Sequence, residues 1–178
     1  QCGPGQGPTT IKPVKVDTKV PFDENGNPTL VDQYNAPHRF TVHVQFPDDV
    51  LMEITSEGRN GILVEGTKGR IFVNRGTIAG RPIEDLKTNP LPGGWLEDIY
   101  GGKVVEHVNN FFDCIVSRKK PASDVWTHVA SINTCHLSNI AIRLNRQITW
   151  DAATHTIKGD AKTKKSVKII LFHFNNFN

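Results

Sequence analysis

The stretch that decides the fold is FTVHVQFPDDVLMEIT, residues 40–55. Apolar and polar residues alternate on both sides of Pro47-Asp48-Asp49; the apolar set is Phe40, Val42, Val44 and Phe46, then Val50, Met52 and Ile54. Two runs with a period of two residues, joined by a short turn, predict a β-hairpin. A second hairpin follows, with strands at residues 62–65 and 70–73 around a turn at residues 66–69. Consecutive hairpins predict an antiparallel sheet with one buried face.

Downstream of the hairpins the apolar spacing changes to that of helices. Residues 80–102 form a Pro/Gly-rich loop with short helical potential near Ile83–Leu86 and Leu96–Tyr100. Two apolar stripes at helical spacing follow: Val104, Val108, Phe111, Phe112 and Ile115, then Val125, Val129, Ile132, His136, Leu137, Ile140 and Leu144, with Ser123 as a possible N-cap. Residues 147–150 predict a returning strand. The order of strands, helices and strand predicts an α+β fold, an open antiparallel β-sheet with helices packed on one face.

Upstream of the hairpins, residues 1–38 are irregular and rich in proline. Val14, Val16 and Val20 predict one edge strand at most, because prolines flank them. The run Asp23–Pro28 has the chemistry of a turn.

Length and charge suit one domain over residues 1–160 and an atypical basic-apolar tail over 161–178. Four of the 21 Lys and Arg lie in that tail, which leaves 17 bases against 18 acids in the rest, so no nucleic-acid partner is expected. No apolar run is long enough for a membrane span, and no membrane partner is expected. The Lys, Ile, Phe and Asn richness of the tail leaves open an out-of-frame reading or an ordinary divergent strand.

Cysteines and histidines give no self-contained site. Cys2, Cys114 and Cys135 are odd in number and widely spaced, so no disulfide framework or zinc ribbon is expected, and Cys114 and Cys135 are interpreted as buried thiols. Asp124 and His128 stand four residues apart, a spacing that suits a general base or a metal ligand but equally a helix-start charge beside a polar histidine. His136 is interpreted as a core histidine.

The glycine run Gly3-Pro4-Gly5-Gln6-Gly7-Pro8 has the letters of a dinucleotide loop without its context. Such a loop needs a strand before it and a helix after it, so that backbone N–H groups meet the pyrophosphate. Neither is predicted here, and no cofactor-binding residue is assigned.

Several collinear segments resemble bacterial oxidoreductases. They are residues 60–76 (NGILVEGTKGRIFVNRG), 110–115 (NFFDCI), 123–128 (SDVWTH), 134–141 (TCHLSNIA) and 149–151 (TWD). Over about residues 7–160 the chain resembles the C-terminal domain of the glucose-fructose oxidoreductase / inositol dehydrogenase (Gfo/Idh/MocA) superfamily, of a type abundant in planctomycete-like bacteria.

The resemblance implies a two-part enzyme whose N-terminal Rossmann domain, absent here, binds NAD or NADP. Its C-terminal domain supplies an open sheet that commonly forms the oligomer interface and borders the sugar or polyol substrate. The family's Glu-Lys-Pro and Asp-xxx-His motifs precede the matched region, so no catalytic residue is carried over to Lys119-Lys120-Pro121 or to Asp124 and His128. The family's usual acidic, helical ending is replaced here after Asp160.

The expected function is therefore substrate binding and oligomerisation for an NAD(P)-dependent oxidoreductase acting on CH–OH groups. The chain alone should be inactive, because side chains cannot carry hydride. The residues expected to bind substrate combine an aromatic face with polar groups: Asn35, His38, Arg59, Asn60, Arg75, Trp126 and His128. The expected partners are the sugar or polyol, the Rossmann domain and further copies of the chain; no metal is assigned.

Two other functions remain open, a non-catalytic carbohydrate-binding or oligomerisation module and part of an NAD-dependent glycosidase. The expected location is the cytoplasm, with the periplasm as the alternative.

Overall fold

The computed structural model describes residues 6–159. In chain order its elements are β1 (Thr10–Asp17), β2 (Arg39–Gln45), β3 (Leu51–Thr55), β4 (Ile62–Gly66), β5 (Gly69–Val73), β6 (Ile78–Ala79), α1 (Arg81–Asp85), α2 (Trp95–Tyr100), α3 (His107–Ser117), α4 (Val125–Leu144), β7 (Ile148–Asp151) and β8 (Thr156–Ile157). The α+β class is confirmed, as are both hairpins and the returning strand.

The described residues divide into two compact units. Residues 6–57 and 125–159 form the first unit, and residues 58–124 form the second unit. The sequence predicted one domain over residues 1–160. The boundary at residue 160 stays a prediction, because the tail at 161–178 lies outside the described residues.

The first unit is built on a five-stranded antiparallel sheet with the order β3-β2-β1-β7-β8. The hairpin of β2 and β3 pairs Val42 with Ile54 and Val44 with Met52. Val42 and Val44 are fully buried. The alternation in residues 40–46 therefore directs one face of β2 into the core, as the period of two residues predicts.

Strand β1 corrects the prediction of at most an edge strand. It pairs with β2 along its whole length and with β7 through Thr10 and Ile11, so it lies inside the sheet. The register with β2 shifts between Pro13 and Lys15. Pro13 thus falls at a bulge and beyond the part of β1 that β7 covers, where the missing N–H of proline is tolerated.

Helix α4 packs on β1 and β2 through its C-terminal half. Its buried apolar residues join the sheet in one core, made of Ile11, Val42, Val44, Leu137, Ile140, Ala141, Ile142, Ile148, Trp150 and Ile157. The predicted stripe is wrong for the first half, since Val125 and Ile132 are exposed.

Small polar residues of α4 take the core-facing positions that the apolar stripe did not predict. Thr134 and Ser138 are buried, and each hydroxyl donates a hydrogen bond to the carbonyl four residues back, at 3.2 and 2.8 Å. Because these groups are satisfied within the helix, they can face the core although they are polar. The helix begins at Val125, so Asp124 rather than Ser123 directly precedes it.

The first unit contains a turn at residues 23–28 that the Asp23 carboxylate stabilises. Phe22 and Pro28 form an isolated antiparallel bridge around the turn predicted at residues 23–28. Asp23 Oδ1 accepts hydrogen bonds from the backbone N–H groups of Asn25 and Asn27, both at 2.8 Å. These bonds hold the turn in shape and, led by the Asn27 N–H, lower the pKa of the Asp23 carboxyl.

The second unit contains a three-stranded antiparallel sheet with the order β4-β5-β6, and α1 contacts β5 and β6. The predicted buried face is wrong for β4, all of whose residues are exposed. Helix α3 begins at His107, so Val104 lies outside it, and its apolar stripe is exposed at Val108, Phe111, Phe112 and Ile115. Asn110 and Asp124 are the two buried residues among 58–124, and neither is apolar.

The interpretation of the cysteines is corrected in part. Cys135 is exposed, although it was predicted to be buried, because it lies on the side of α4 that faces away from the core. Cys114 is partly buried on α3, both thiols are free, and Cys2 lies outside the described residues.

Candidate functional site

The residues predicted to bind substrate fall on both units. Asn35, His38, Trp126 and His128 belong to the first unit, whereas Arg59, Asn60 and Arg75 belong to the second. All seven are exposed. Their assignment as one substrate site stays a prediction.

In the second unit the hairpin brings its three candidates to one end of the sheet. Ile62, at the start of β4, pairs with Val73, at the end of β5. Arg59 and Asn60 precede the first of these strands and Arg75 follows the second. The three side chains therefore originate at the end of the hairpin opposite the Thr67-Lys68 turn.

The Arg59 guanidinium is held over an aromatic ring at this end. Its Cζ atom lies 4.5 Å from the centroid of the Phe72 ring. A Cβ atom on Gly61 would lie only 2.6 Å from that ring, so glycine is what allows the chain to pass so close to Phe72. We name Arg59, Asn60 and Phe72 the arginine platform. The ring holds the guanidinium in place, and the N–H donors of the guanidinium suit the hydroxyls of a polyhydroxy ligand.

Arg75 projects from the turn between β5 and β6. Asn74 Oδ1 accepts a hydrogen bond from the Gly76 N–H at 3.0 Å, and the Asn74 N–H donates to the Thr77 carbonyl at 2.9 Å. The turn thus has its own local stabilisation directly after β5, which ends at Val73.

The four candidates of the first unit lie on different segments: Asn35 and His38 precede β2, and Trp126 and His128 lie on α4. His38 Nε2 lies 3.2 Å from Asp17 Oδ2, so this ring pairs across the end of β1. Trp126 and His128 are two residues apart on α4. Side chains with that spacing point to different sides of a helix, so the ring of Trp126 does not form a shared face with His128.

Asp124 is engaged as an ion-pair partner. Its carboxylate is buried, with 8% of the side chain exposed, and Oδ2 lies 3.1 Å from Lys120 Nζ. Its position directly before α4 agrees with the alternative of a helix-start charge.

Two polar side-chain pairs on the outer face of the first unit's sheet were missed. His43 Nε2 lies 3.1 Å from Glu53 Oε2, and Lys15 Nζ lies 2.6 Å from Glu57 Oε1. A hairpin centred on Asp48 places residue 43 opposite residue 53, so the sequence held the signal for the first pair. The second depends on the register of β1 against β2, which no local pattern encodes.

Two carboxyl groups of the first unit are charged acceptors. The Lys15 hydrogen bond lowers the pKa of Glu57, and the Thr154 N–H is the main cause that lowers the pKa of Asp151. Lowered pKa values favour the ionised form at neutral pH, which suits hydrogen-bond acceptance rather than general-acid catalysis. Within residues 6–159 no group of three or more His, Cys, Asp or Glu is arranged to hold a metal ion.

The glycine run at the N-terminus does not fit a dinucleotide loop in its described part. Gly7 and Pro8 are buried and lead directly into strand β1, where a phosphate-binding loop would lead into a helix. A Cβ atom on Gly7 would lie 3.2 Å from the Ala152 Cβ atom, so this glycine is placed against the protein's own side chain.

No family model matches the sequence, and no curated protein or solved structure matches it either. Across residues 6–159 no helix is long and apolar enough to cross a membrane.

Proposed function

We propose that this chain is the substrate-binding and oligomerisation domain of an NAD(P)-dependent sugar or polyol oxidoreductase. Hydride transfer requires a nicotinamide, which a separate Rossmann domain would bind. The role of this chain is then to bind hydroxyl groups and to assemble, and by itself it is inactive.

The observation that carries the proposal is the exposed apolar surface of the second unit. Its large exposed hydrophobic residues are Ile62, Leu63, Val64, Ile78, Leu91, Trp95, Leu96, Ile99, Val104, Val108, Phe111, Phe112, Ile115 and Val116. Scattered exposed apolar residues are ordinary, but so many large ones in one unit of 67 residues favour a surface that a partner covers. A domain that works against a cofactor domain and further copies of itself requires such surfaces.

The arginine platform supports the sugar or polyol part. Arginine and asparagine supply donors and an acceptor for ligand hydroxyls, and the Phe72 ring orients the guanidinium. Cytoplasmic location is proposed with it, with the periplasm as the alternative.

The test is calorimetric titration of the purified chain with NAD(H) and NADP(H), with its mass in solution measured in parallel. We expect no nucleotide binding and an oligomer. Tight nucleotide binding would refute the assignment to the half that lacks the cofactor site.

The same preparation tests the ligand class by NMR titration with a panel of sugars and polyols. We expect shifts at Arg59, Asn60 and Phe72 that Arg59→Ala removes and that Arg81→Ala, in the same unit, retains. Binding that survives Arg59→Ala would remove the platform from the proposal.

One alternative is a non-catalytic carbohydrate-binding module, which the platform also favours. It predicts sugar binding of full strength by this chain alone. An oxidoreductase domain predicts weak binding that a nucleotide-binding domain strengthens.

A further inference from the structure

We propose that strand β4 pairs antiparallel with β4 of a second copy of this chain, about a two-fold axis at Leu63. The two three-stranded sheets then become one six-stranded sheet. The inference rests on the assembly part of the proposed function, and names the strand and register that carry it. It does not depend on the cofactor, and it shares Arg59 with the arginine platform.

Among residues 6–159, no strand pairs with the outer edge of β4, which is therefore an open edge. Strand β4 lies at one end of the order β4-β5-β6, so every second backbone N–H and C=O along it points away from β5. Ile62, Leu63 and Val64 are 64%, 50% and 57% exposed. Proteins protect an edge of this kind with lysine, proline or a bulge, and β4 contains none of these.

Both faces of this edge are apolar. Ile62 and Val64 stand on one face beside their partners Val73 and Ile71, and Leu63 stands on the other beside Phe72. A strand added at the edge covers apolar side chains on both sides at once. Cross-strand apolar pairs of this type are the stabilising unit of a sheet.

The sequence of β4 selects a second copy and one register. With Leu63 opposite Leu63, Ile62 lies opposite Val64 of the copy, and each apolar residue meets an apolar residue. Moving the axis to Ile62 would place Leu63 opposite Gly61 and Val64 opposite Asn60. The strand is therefore complementary to itself in one antiparallel alignment, as a two-fold interface requires.

The charges at the ends of the strand agree with this register. Glu65 lies opposite Gly61 of the copy, and Arg59 of the copy is two residues further along, a diagonal neighbour. No like charges face each other between Gly61 and Glu65. The two-fold axis repeats this Glu65–Arg59 neighbour pair at both ends, beside the 3.3 Å ion pair that Glu65 makes with Arg70 of its own chain.

The opposite edge of the sheet explains why assembly stops at two copies. Strand β6 has two residues, Ile78 and Ala79, and α1 contacts it. A short edge beside a helix is a poor template for a further strand. Pairing through β4 therefore closes as a dimer and does not propagate.

The experiment compares the mass of the full chain and of two matched variants by sedimentation velocity. We expect the wild type at twice the 19.8 kDa of one chain. Leu63→Lys should sediment as one chain, since it sets two lysines opposite each other across the axis. Leu30→Lys, at a comparably exposed leucine of the first unit outside the strands, should remain a dimer.

A second variant, Leu63→Cys, keeps the inference testable if the lysine variant misfolds. Residues paired directly across antiparallel strands have Cα atoms about 4.5–5.5 Å apart, within disulfide range. Mild oxidation should give a covalent dimer whose peptide map contains a disulfide between the two introduced thiols. The control variant Thr67→Cys, in the turn, should give no such link.

The outcomes separate the two proposals. A monomeric wild type would overturn both the β4 pairing and the assembly role. A dimer that persists in Leu63→Lys, and that gives no intermolecular disulfide in Leu63→Cys, would overturn the β4 pairing alone.

Discussion

The Nε–H of Arg143 donates a 2.7 Å hydrogen bond to the carbonyl oxygen of Gly26, which joins the last turn of α4 to a loop 117 residues earlier. The same guanidinium lies 5.2 Å from the centroid of the Phe22 ring. A Cβ atom on Gly26 would lie 3.3 Å from Leu144 Cδ2, so the loop is packed closely on the helix. One arginine thus anchors the loop at residues 21–28.

Replacing this arginine should loosen the loop and lower stability. Arg143→Ala removes a charged donor and leaves the buried Gly26 carbonyl without it, so we expect the free energy of unfolding to fall by about 1.5–3 kcal/mol. Urea denaturation followed by circular dichroism measures the change. The control is Lys19→Ala, at an exposed cation of the same unit. It should change the free energy of unfolding by less than about 0.5 kcal/mol.

Replacing two isoleucines of the apolar stripe predicted for α4 by alanine should lower stability by unequal amounts, because only one of them is buried. Ile140 is 6% exposed in the core, and Ile132 is 42% exposed two turns earlier. We expect Ile140→Ala to cost about 2–5 kcal/mol and Ile132→Ala less than about 1 kcal/mol. Equal losses in denaturant titrations would show that the first half of α4 is also packed.

Of two glycines in the second unit, one should not tolerate alanine and the other should. A Cβ atom on Gly80 would lie 2.1 Å from the Arg70 carbonyl oxygen, at a φ of 132° that L residues avoid. Nothing lies within 4 Å of the corresponding atom on Gly76. Gly80→Ala should therefore speed amide hydrogen exchange in β5 and β6 by at least about tenfold, whereas Gly76→Ala should leave it nearly unchanged. Matching exchange rates in the two variants would contradict the close approach of Gly80 to β5.

The Asp23 carboxyl should make the stability of the loop depend on acid pH. Its pKa is lowered below 3.8, chiefly by the Asn27 N–H, so its charged form is favoured in the folded state. The carboxylate's contribution to the free energy of unfolding is fully present above the unfolded pKa of about 3.9. This contribution is lost as pH falls through the lower folded pKa.

Asp23→Asn keeps an acceptor oxygen and removes the charge, so it isolates this effect. At pH 7 the variant should be less stable than the wild type, and the difference should shrink below about pH 4. Thermal melts from about pH 2 to 7 measure it, with Asp32→Asn, at an exposed position of the same unit, as the control. A difference that stays constant across this range would exclude the carboxylate charge as its cause.

The local sequence pattern was enough to predict part of the candidate site. The alternation around residues 66–69 predicts the second hairpin, and any such hairpin brings Arg59, Asn60 and Arg75 to the same end of the sheet. The stacking of Arg59 on Phe72 depends on the backbone at Gly61, which sequence spacing does not describe. Whether the candidates of the two units act together stays a prediction.

The sequence by itself determined the elements whose contacts are near in the chain: both hairpins, the turn at Asp23 and the helices. It also predicted the returning strand, but not that this strand pairs with β1 at the other end of the chain. Their signals are periodicity and turn chemistry, which act over a few residues. Tertiary structure decided the interior position of β1, the half of α4 that is buried, and the exposure of β4 and α3. These depend on which distant segment lies alongside, and an apolar stripe specifies a face that can be buried without specifying what covers it.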